Sequence, residues 1–545
     1  MVKSIFSLLG ARQTSILAGA AIIMVMVLMS KILGLARDRL LVHIFPPDTV
    51  AIFFAAFRLP DLIFQLLILG TMSVAFIPIF TEYLETRKKG EAFALAQSLM
   101  VTLLIFFIIT TVLVYIFIDQ LTFLIVPGFS MEQRQEVASL TKIILVGQII
   151  LAVGSFFVGI LQSFQRFIIP ALAAVFYNFG IILGIIFLAK PLGILGPAVG
   201  VIIGAILHVL VQLPLVLLVG FRINFRRKFF HPGLKEILGL MSMRTVGLAA
   251  EQVNETVGVV LSSLISTASV TYLTFAQHLQ VVPIGLFGAT IAQAALPVLS
   301  SERARGKLEE FKATFLTTFH QILFLALPAT AILIVLRIPV VRLVFGASQF
   351  DWSSTVLTGM TLAFLSIGLA VQSISLLLIR GFYAMKDTKT PVFVSFIVVL
   401  VNILLSFYFV RILNFEVWSI GLALSISSII SGLLLFITLD KKVGGFEKQA
   451  VFEPFFKMLM ATVIMGVALY VPIKLLDQVI FDTTRTINLL FLTGLSSIFA
   501  ISVYIVLVWF LKVRELSTYI DLLGRIGKYQ TKIKSEELLH KPDPV

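Results

Sequence analysis

Long apolar runs recur along nearly the whole sequence, and this feature confines the chain to a membrane. About 20 mostly apolar residues in a helix cross the ~30 Å hydrocarbon core of a bilayer. The chain has 545 residues, of which 59% are apolar and only 13% charged, so it has too little polar surface to cover a water-soluble globule. The runs have helix length rather than the length of barrel strands. We therefore predict an all-α polytopic membrane protein.

The apolar runs divide into about fourteen predicted transmembrane helices. The charged residues from 512 to 545 follow the last run and are predicted to form a cytoplasmic tail. The predicted spans lie near 15–36, 51–80, 94–118, 139–163, 168–189, 193–220, 238–265, 270–298, 312–336, 354–379, 391–411, 417–439, 456–475 and 487–511.

The loops between these spans carry lysine and arginine unequally. The loops on the N-terminal side hold 29 of these residues, including those of the tail, and the opposite loops hold 10. Because cytoplasmic loops are the basic ones, we expect both termini in the cytoplasm. The net charge of +14 then reflects these loops, and no nucleic-acid partner is predicted.

The two halves of the chain resemble each other. Four pairs of similar positions, 216 to 219 residues apart, occupy matching places in the order of spans. We predict two pseudo-symmetric six-helix lobes, 1–220 and 221–440, two extra helices within 441–511, and the tail 512–545. Such repeats are typical of transporters with a substrate site between the halves. The pairs are Pro78 and Pro297, Gly90 and Gly306, Gly128 and Gly346, and Phe164 and Phe382.

Charged residues inside the first two spans are the first candidates for a binding site. Intramembrane charges are costly and usually face a bundle interior or a wet cavity. Lys31 lies in span one, and Arg37 and Asp38 lie at its outer end. Arg58 and Asp61 lie in span two, close enough to pair. Arg37 could instead be an interfacial anchor, and the Arg58–Asp61 pair a structural one at the intervening proline.

Spans seven and eight supply the second group of candidates. Arg244, Glu251 and Glu255 share one face of the predicted helix, and Gln252 flanks that face. They could line a wet interior or neutralise one another between packed helices. His278 lies among polar residues in span eight. Several cations in one interior favour an anionic head group, because Lys and Arg bind phosphate oxygens by charge-assisted hydrogen bonds.

At these positions the chain resembles the MurJ/MviN family of lipid II flippases, within the superfamily of multidrug, oligosaccharidyl-lipid and polysaccharide exporters. The likeness covers the twelve-helix core and the two extra helices. It rests on Ser30-Lys31, Gly34, Arg37-Asp38, Phe57-Arg58-Leu59-Pro60-Asp61, Gly70, Ser73 to Pro78, Phe275 to Leu279, Pro283, Gly285, Gly288 and Leu296-Pro297. The chain departs from the family's charged positions at Lys31, Phe64, Gln65, Leu69, Gly258, Gln277, His278 and Ser406.

The resemblance implies an alternating-access flippase, not an enzyme, that moves a polyprenyl-diphosphate-linked peptidoglycan precursor to the outer leaflet of the bacterial cytoplasmic membrane. It implies a monomer, membrane lipids and the cell-wall synthesis machinery as partners, and no cofactor beyond coupling to Na⁺, H⁺ or the membrane potential. Asn402 fits a cation-ligand position of the family. The departures leave two alternatives open: a flippase for another lipid-linked oligosaccharide, or an exporter of amphipathic molecules.

Overall fold

The computed structural model describes the chain except for residues 1–15, 70, 71, 73–75, 88, 223–230, 477–484 and 520–545. A few helical side chains, that of Arg244 among them, also lie outside the described part. Every regular element in the described part is a helix, as predicted. Helices suit a bilayer because each satisfies its own backbone hydrogen bonds where water is absent.

The helices are, in chain order, α1 Ile16–Ile44, α2 Pro47–Phe64, α3 Ile77–Thr86, α4 Lys89–Ile116, α5 Ile118–Ile125, α6 Met131–Ser163, α7 Ile168–Leu183, α8 Ala189–Leu192, α9 Leu195–Leu218, α10 Pro232–Ile265, α11 Thr267–Pro283, α12 Thr290–Ala304, α13 Leu308–Val335, α14 Arg337–Phe345, α15 Trp352–Ile367, α16 Leu369–Ala384, α17 Lys389–Phe407, α18 Trp418–Lys442, α19 Lys448–Leu476 and α20 Thr486–Phe510.

Eleven described helices are long and apolar enough to cross a membrane, or twelve if α15 and α16, bent by 43°, form one broken span. These correspond to the predicted spans other than 15–36 and 238–265. Those two coincide with α1 and α10, which are 29 and 34 residues long but are not among the eleven. The predicted total of fourteen therefore stays a prediction.

Two helices change to a wider π-helical turn after an internal proline. Pro60 lies inside α2, which continues as a π turn over Gln65–Leu69. Pro283 ends α11, which continues as a π turn over Ile284–Ala289. A proline removes one backbone donor and crowds the preceding turn, and π turns are frequent at functional sites.

The described residues form two compact units by packing. The first contains those of Met1–Leu279, Val344–Thr361 and Ser395–Ser427, and the second those of Gln280–Leu343, Leu362–Val394 and Ser428–Val545. The predicted lobes 1–220 and 221–440 describe a sequence repeat rather than packing, and they stay a prediction.

Glycines bring α7 and α9 together in the first unit. A methyl group added at Gly180 would lie 2.2 Å from Cα of Gly204, and one added at Gly204 would lie 2.3 Å from the backbone oxygen of Tyr177. Small residues of this kind let membrane helices approach closely. α7 carries Tyr177 and Asn178, two polar residues that are described below, so this contact positions their backbone.

In the second unit, the two C-terminal helices pack beside each other and α19 packs against α13. The hydroxyl of Tyr504, on α20, donates to the backbone oxygen of Phe324, on α13, at 3.0 Å. Gly288 packs against Ser373 of α16, so that an added methyl group would lie 2.8 Å from Cα of Ser373. The extra helices are thus an integral part of this unit.

Candidate functional site

A buried carboxylate of α1 organises the first polar cluster. Asp38, whose side chain is 1% exposed, accepts hydrogen bonds on Oδ1 from Arg37 Nε at 3.0 Å and Nη2 at 2.8 Å. Its Oδ2 lies 2.7 Å from Nδ1 of His278, on α11. Nη1 of Arg37 donates to Asn178 at 3.3 Å. The predicted residues Arg37, Asp38 and His278 therefore come together, and we call them, with Asn178, the Asp38 cluster.

A second cluster surrounds Arg58, on α2, whose side chain is 10% exposed. Nη1 of Arg58 donates to Oε2 of Glu255 at 2.7 Å, and Nε donates to Oγ1 of Thr256 at 3.0 Å. Nη2 donates to both the backbone and the side-chain oxygen of Gln252. The Gln252 amide in turn donates to Oε1 of Gln65 at 2.6 Å. We call these five residues the Arg58 cluster.

The pairing suggested for Arg58 and Asp61 is wrong. Within the described residues Arg58 forms its ion pair with Glu255, and Asp61 accepts a hydrogen bond from Nε2 of Gln148 at 2.9 Å. Residues three apart on a helix can pair, but α10 offers Arg58 four oxygen acceptors. The guanidinium group of Arg58 donates more hydrogen bonds to these acceptors than it could donate to one carboxylate on its own helix.

Each arginine of the two clusters is paired with an acid. Arg37 pairs with Asp38 and Arg58 with Glu255, and His278 adjoins Asp38. The site is thus less cationic than the sequence suggested. The Glu255 side chain is 46% exposed, however. Glu255 can therefore leave Arg58 without becoming enclosed by the protein.

Two other predicted site residues, Lys31 and Glu251, do not belong to either cluster. Lys31 is exposed on α1. Glu251 is exposed on α10, whereas its neighbour Gln252 is 1% exposed. The side chain of Arg244 lies outside the described part of the chain. Glu255 forms an ion pair with Arg58, and the two alternatives for Arg244, Glu251 and Glu255 stay open.

The candidate cation ligand Asn402 lies in an amide and hydroxyl cluster. Its Nδ2 donates to Oδ1 of Asn254 at 2.6 Å, and its Oδ1 accepts from the hydroxyl of Ser406 at 3.3 Å. In the described part of the chain, no three His, Cys, Asp or Glu side chains are grouped as a metal site would require. The role of Asn402 in cation binding stays a prediction.

Sequence reasoning missed Asn178, Gln148 and Thr256. Asn178 and Gln148 each interrupt an apolar stretch of their helix, and those interruptions could have indicated them. Thr256 follows Glu255 directly, and no feature of the sequence indicated a role for it. Gln65 was noted only as a departure from the family's charge, yet it accepts the hydrogen bond of Gln252.

The described helices and the charges paired between them are those of a polytopic helical membrane protein. A multidrug resistance MATE family transporter of the MOP superfamily, in an inward-facing conformation, shares the fold with a TM-score of 0.65 at 16% identity, covering 78% of this chain and 98% of that one.

A family model for lipid II flippase MurJ matches residues 43–491, and the chain belongs to this family. A probable lipid II flippase MurJ of Buchnera aphidicola is 27% identical over 83% of this chain and 89% of its own. A lipid II flippase MurJ of Burkholderia cenocepacia is 26% identical over 78% and 83%. The structure of a lipid II flippase MurJ in an inward closed conformation has a TM-score of 0.75 at 25% identity, covering 92% of this chain and 99% of that one. The predicted family is confirmed, and it is a family of flippases rather than enzymes.

Proposed function

We propose that this chain carries lipid II, a polyprenyl diphosphate bearing a sugar head, from the inner to the outer leaflet by alternating access. The observation that carries the proposal is Arg58. It is a buried intramembrane cation held by Glu255, an acid that remains half-exposed. Family membership supplies the substrate class, and intramembrane charges of this kind mark substrate pathways.

The geometry of Arg58 suggests how the diphosphate is held. Its Nε and Nη2 groups are engaged by Thr256 and Gln252, so the guanidinium plane stays fixed when Nη1 changes partner. A phosphate oxygen then takes the place of Glu255 at Nη1, by a charge-assisted bond. Because the displaced carboxylate moves toward water, the exchange strands no charge in the membrane.

We also propose an oligomeric state, an orientation and a partner. The chain acts as a monomer in the bacterial inner membrane, with both termini cytoplasmic, and delivers its substrate to the cell-wall synthesis machinery. It needs no cofactor, and the energy for outward transport comes from an Na⁺ or H⁺ gradient or from the membrane potential. The distribution of basic loops supports the orientation.

The proposal is tested by transport of labelled lipid II in cells and vesicles. In a flippase-depleted strain and in proteoliposomes, wild type should restore translocation. Arg58→Ala should abolish it with unchanged insertion, because the charged contact to the diphosphate is lost. Arg305→Ala is the matched control, since Arg305 is exposed after α12. Full activity of Arg58→Ala would contradict the proposal.

The neutral Gln65, where the family motif carries arginine, favours a head of lower charge as the second candidate. Proteoliposomes loaded with another lipid-linked oligosaccharide distinguish the two. Transport of that lipid in preference to lipid II would replace the first substrate by the second.

A further inference from the structure

The first unit contains a cavity that the ionic clusters do not account for. Its volume is about 640 Å³, within the ~300–1,000 Å³ typical of ligand pockets. Gln65 of the α2 π turn, Ser155 and Gln162 of α6, Tyr177 of α7 and His208 of α9 supply its polar groups. The remaining wall is apolar, and none of its described lining residues carries a formal charge.

The polar groups in this wall can serve a ligand as both donors and acceptors. Nδ1 of His208 lies 3.2 Å from Nε2 of Gln212, and the imidazole ring can donate or accept a hydrogen bond according to its tautomer. The Gln65 carbonyl oxygen is occupied by Gln252, which leaves the Gln65 NH₂ group as a donor. The hydroxyl of Ser155 donates to the backbone oxygen of Leu151 and keeps its acceptor sites. The phenol of Tyr177 can do either.

The cavity is directly connected to the Arg58 cluster. Gln65 lines the cavity and accepts from Gln252, which accepts from Arg58. On the other side, Tyr177 precedes Asn178, the partner of Arg37. A ligand whose anionic part binds Arg58 therefore has an uncharged, partly polar compartment beside that part.

We propose that this cavity is the subsite for the uncharged sugar of the lipid-linked substrate. A sugar ring has hydroxyl groups around its edge and C–H faces above and below it. Neutral donors and acceptors between apolar walls match that chemistry, whereas a diphosphate would leave its charge unpaired there. The inference rests on the proposed function, and it adds that the protein distinguishes its substrate by the sugar next to the diphosphate.

The test compares lipids with and without sugar on the purified full-length protein in detergent. The probes are lipid II, a polyprenyl diphosphate carrying one sugar and no peptide, and bare polyprenyl diphosphate. Ala174→Phe fills the cavity, because Ala174 lines it, and Tyr177→Phe removes one hydroxyl. Val175→Phe is the matched control, since Val175 does not line the cavity and lies one turn before Phe179, which is 44% exposed.

Ala174→Phe should weaken binding of both sugar-bearing lipids at least tenfold and leave bare polyprenyl diphosphate within twofold. Tyr177→Phe should weaken the sugar-bearing lipids about 3–10-fold, the effect of one hydrogen bond, and Val175→Phe should change neither class. Ser155→Leu fills the cavity from α6 and replaces Ala174→Phe if that variant does not purify. Equal losses for all three lipids, or no loss, would overturn the subsite.

The same measurements separate the two proposals. If wild type binds the single-sugar lipid but not lipid II, the proposed substrate is wrong and the subsite stands. If lipid II binds as well in the cavity-filling variants as in wild type, the subsite is wrong and the proposed function stands. If no sugar-bearing lipid binds more tightly than bare polyprenyl diphosphate, the subsite is wrong as well.

Discussion

Replacing Glu255 by glutamine should increase the affinity for lipid II. In the structure the carboxylate of Glu255 occupies Nη1 of Arg58, the group proposed to receive a phosphate oxygen. The acid is therefore a competitor of the substrate. Glutamine keeps a similar shape and a weaker hydrogen bond, but it removes the negative charge that the diphosphate must displace and that repels it.

The size of the effect follows from the geometry of the ion pair. The contact between Glu255 and Arg58 is short, 2.7 Å, but the acid is 46% exposed. Hydrogen bonds to charged groups contribute ~1.5–3 kcal/mol and exposed ion pairs ~0–1 kcal/mol, so we take about 1–2 kcal/mol for this half-exposed pair. Since 1.4 kcal/mol is tenfold in an equilibrium constant, lipid II should bind about 5–30-fold more tightly to the variant.

The assay is equilibrium binding of labelled lipid II to wild type, Glu255→Gln and Glu236→Gln. Glu236 is an exposed acid on the same helix, so its variant controls for a simple change of net charge. The gain of Glu255→Gln should shrink in high salt, and transport should not accelerate, because tighter ground-state binding does not lower the barrier. Unchanged or weaker binding of lipid II to Glu255→Gln would refute the competition between acid and substrate.

Three further predictions concern stability, measured as the apparent Tm in detergent. Asp38→Asn should destabilise the protein by about 3 kcal/mol, because removing one member of a buried ion pair strands its partners, and an unchanged Tm would contradict this. Gly204→Leu should lower the Tm strongly, since even a methyl group there meets backbone at 2.3 Å, whereas Gly494→Ala, with nothing within 4 Å, should not. For Asp387 in the α16–α17 loop, burial alone would raise the pKa, but hydrogen bonds from Lys442 and a neighbouring threonine lower it to about 2. The ionised Asp387 carboxylate therefore contributes its full stabilisation of the folded protein above the unfolded pKa of ~3.9, and this contribution is lost as the pH falls toward 2. Lys442→Met should reduce the loss of Tm between pH 5 and pH 2.5.

Sequence patterns were sufficient to predict the class of fold because few kinds of backbone structure can span a bilayer. Length and apolarity alone locate helices such as α13 and α20 within a few residues of the predicted spans. The same criteria are weakest for α10, whose polar residues lower its apolarity. α2, which carries Arg58, still meets these criteria.

The candidate residues could be predicted individually, but their partners could not. A charge inside a span is visible in the sequence, so Asp38, Arg58 and Glu255 were all found. Which acid neutralises which cation depends on how helices distant in sequence pack. Arg58 and Glu255 are separated by 197 residues, and spacing along one helix favoured the wrong partner, Asp61. The cavity was also invisible, because its lining comes from several helices.

Paired charges also explain how an anion carrier can return empty. A carrier with bare arginines would have to keep unpaired charges in a medium of low dielectric constant on each return, at a cost of several kcal/mol per ion. In this chain Asp38 forms an ion pair with Arg37, and Glu255 forms one with Arg58. The two acids differ in one respect: Asp38 is 1% exposed and Glu255 46%. We infer that Asp38 is a permanent part of the framework and that Glu255 is the acid exchanged for the diphosphate, so that the Arg58 guanidinium is paired in both the empty and the loaded state.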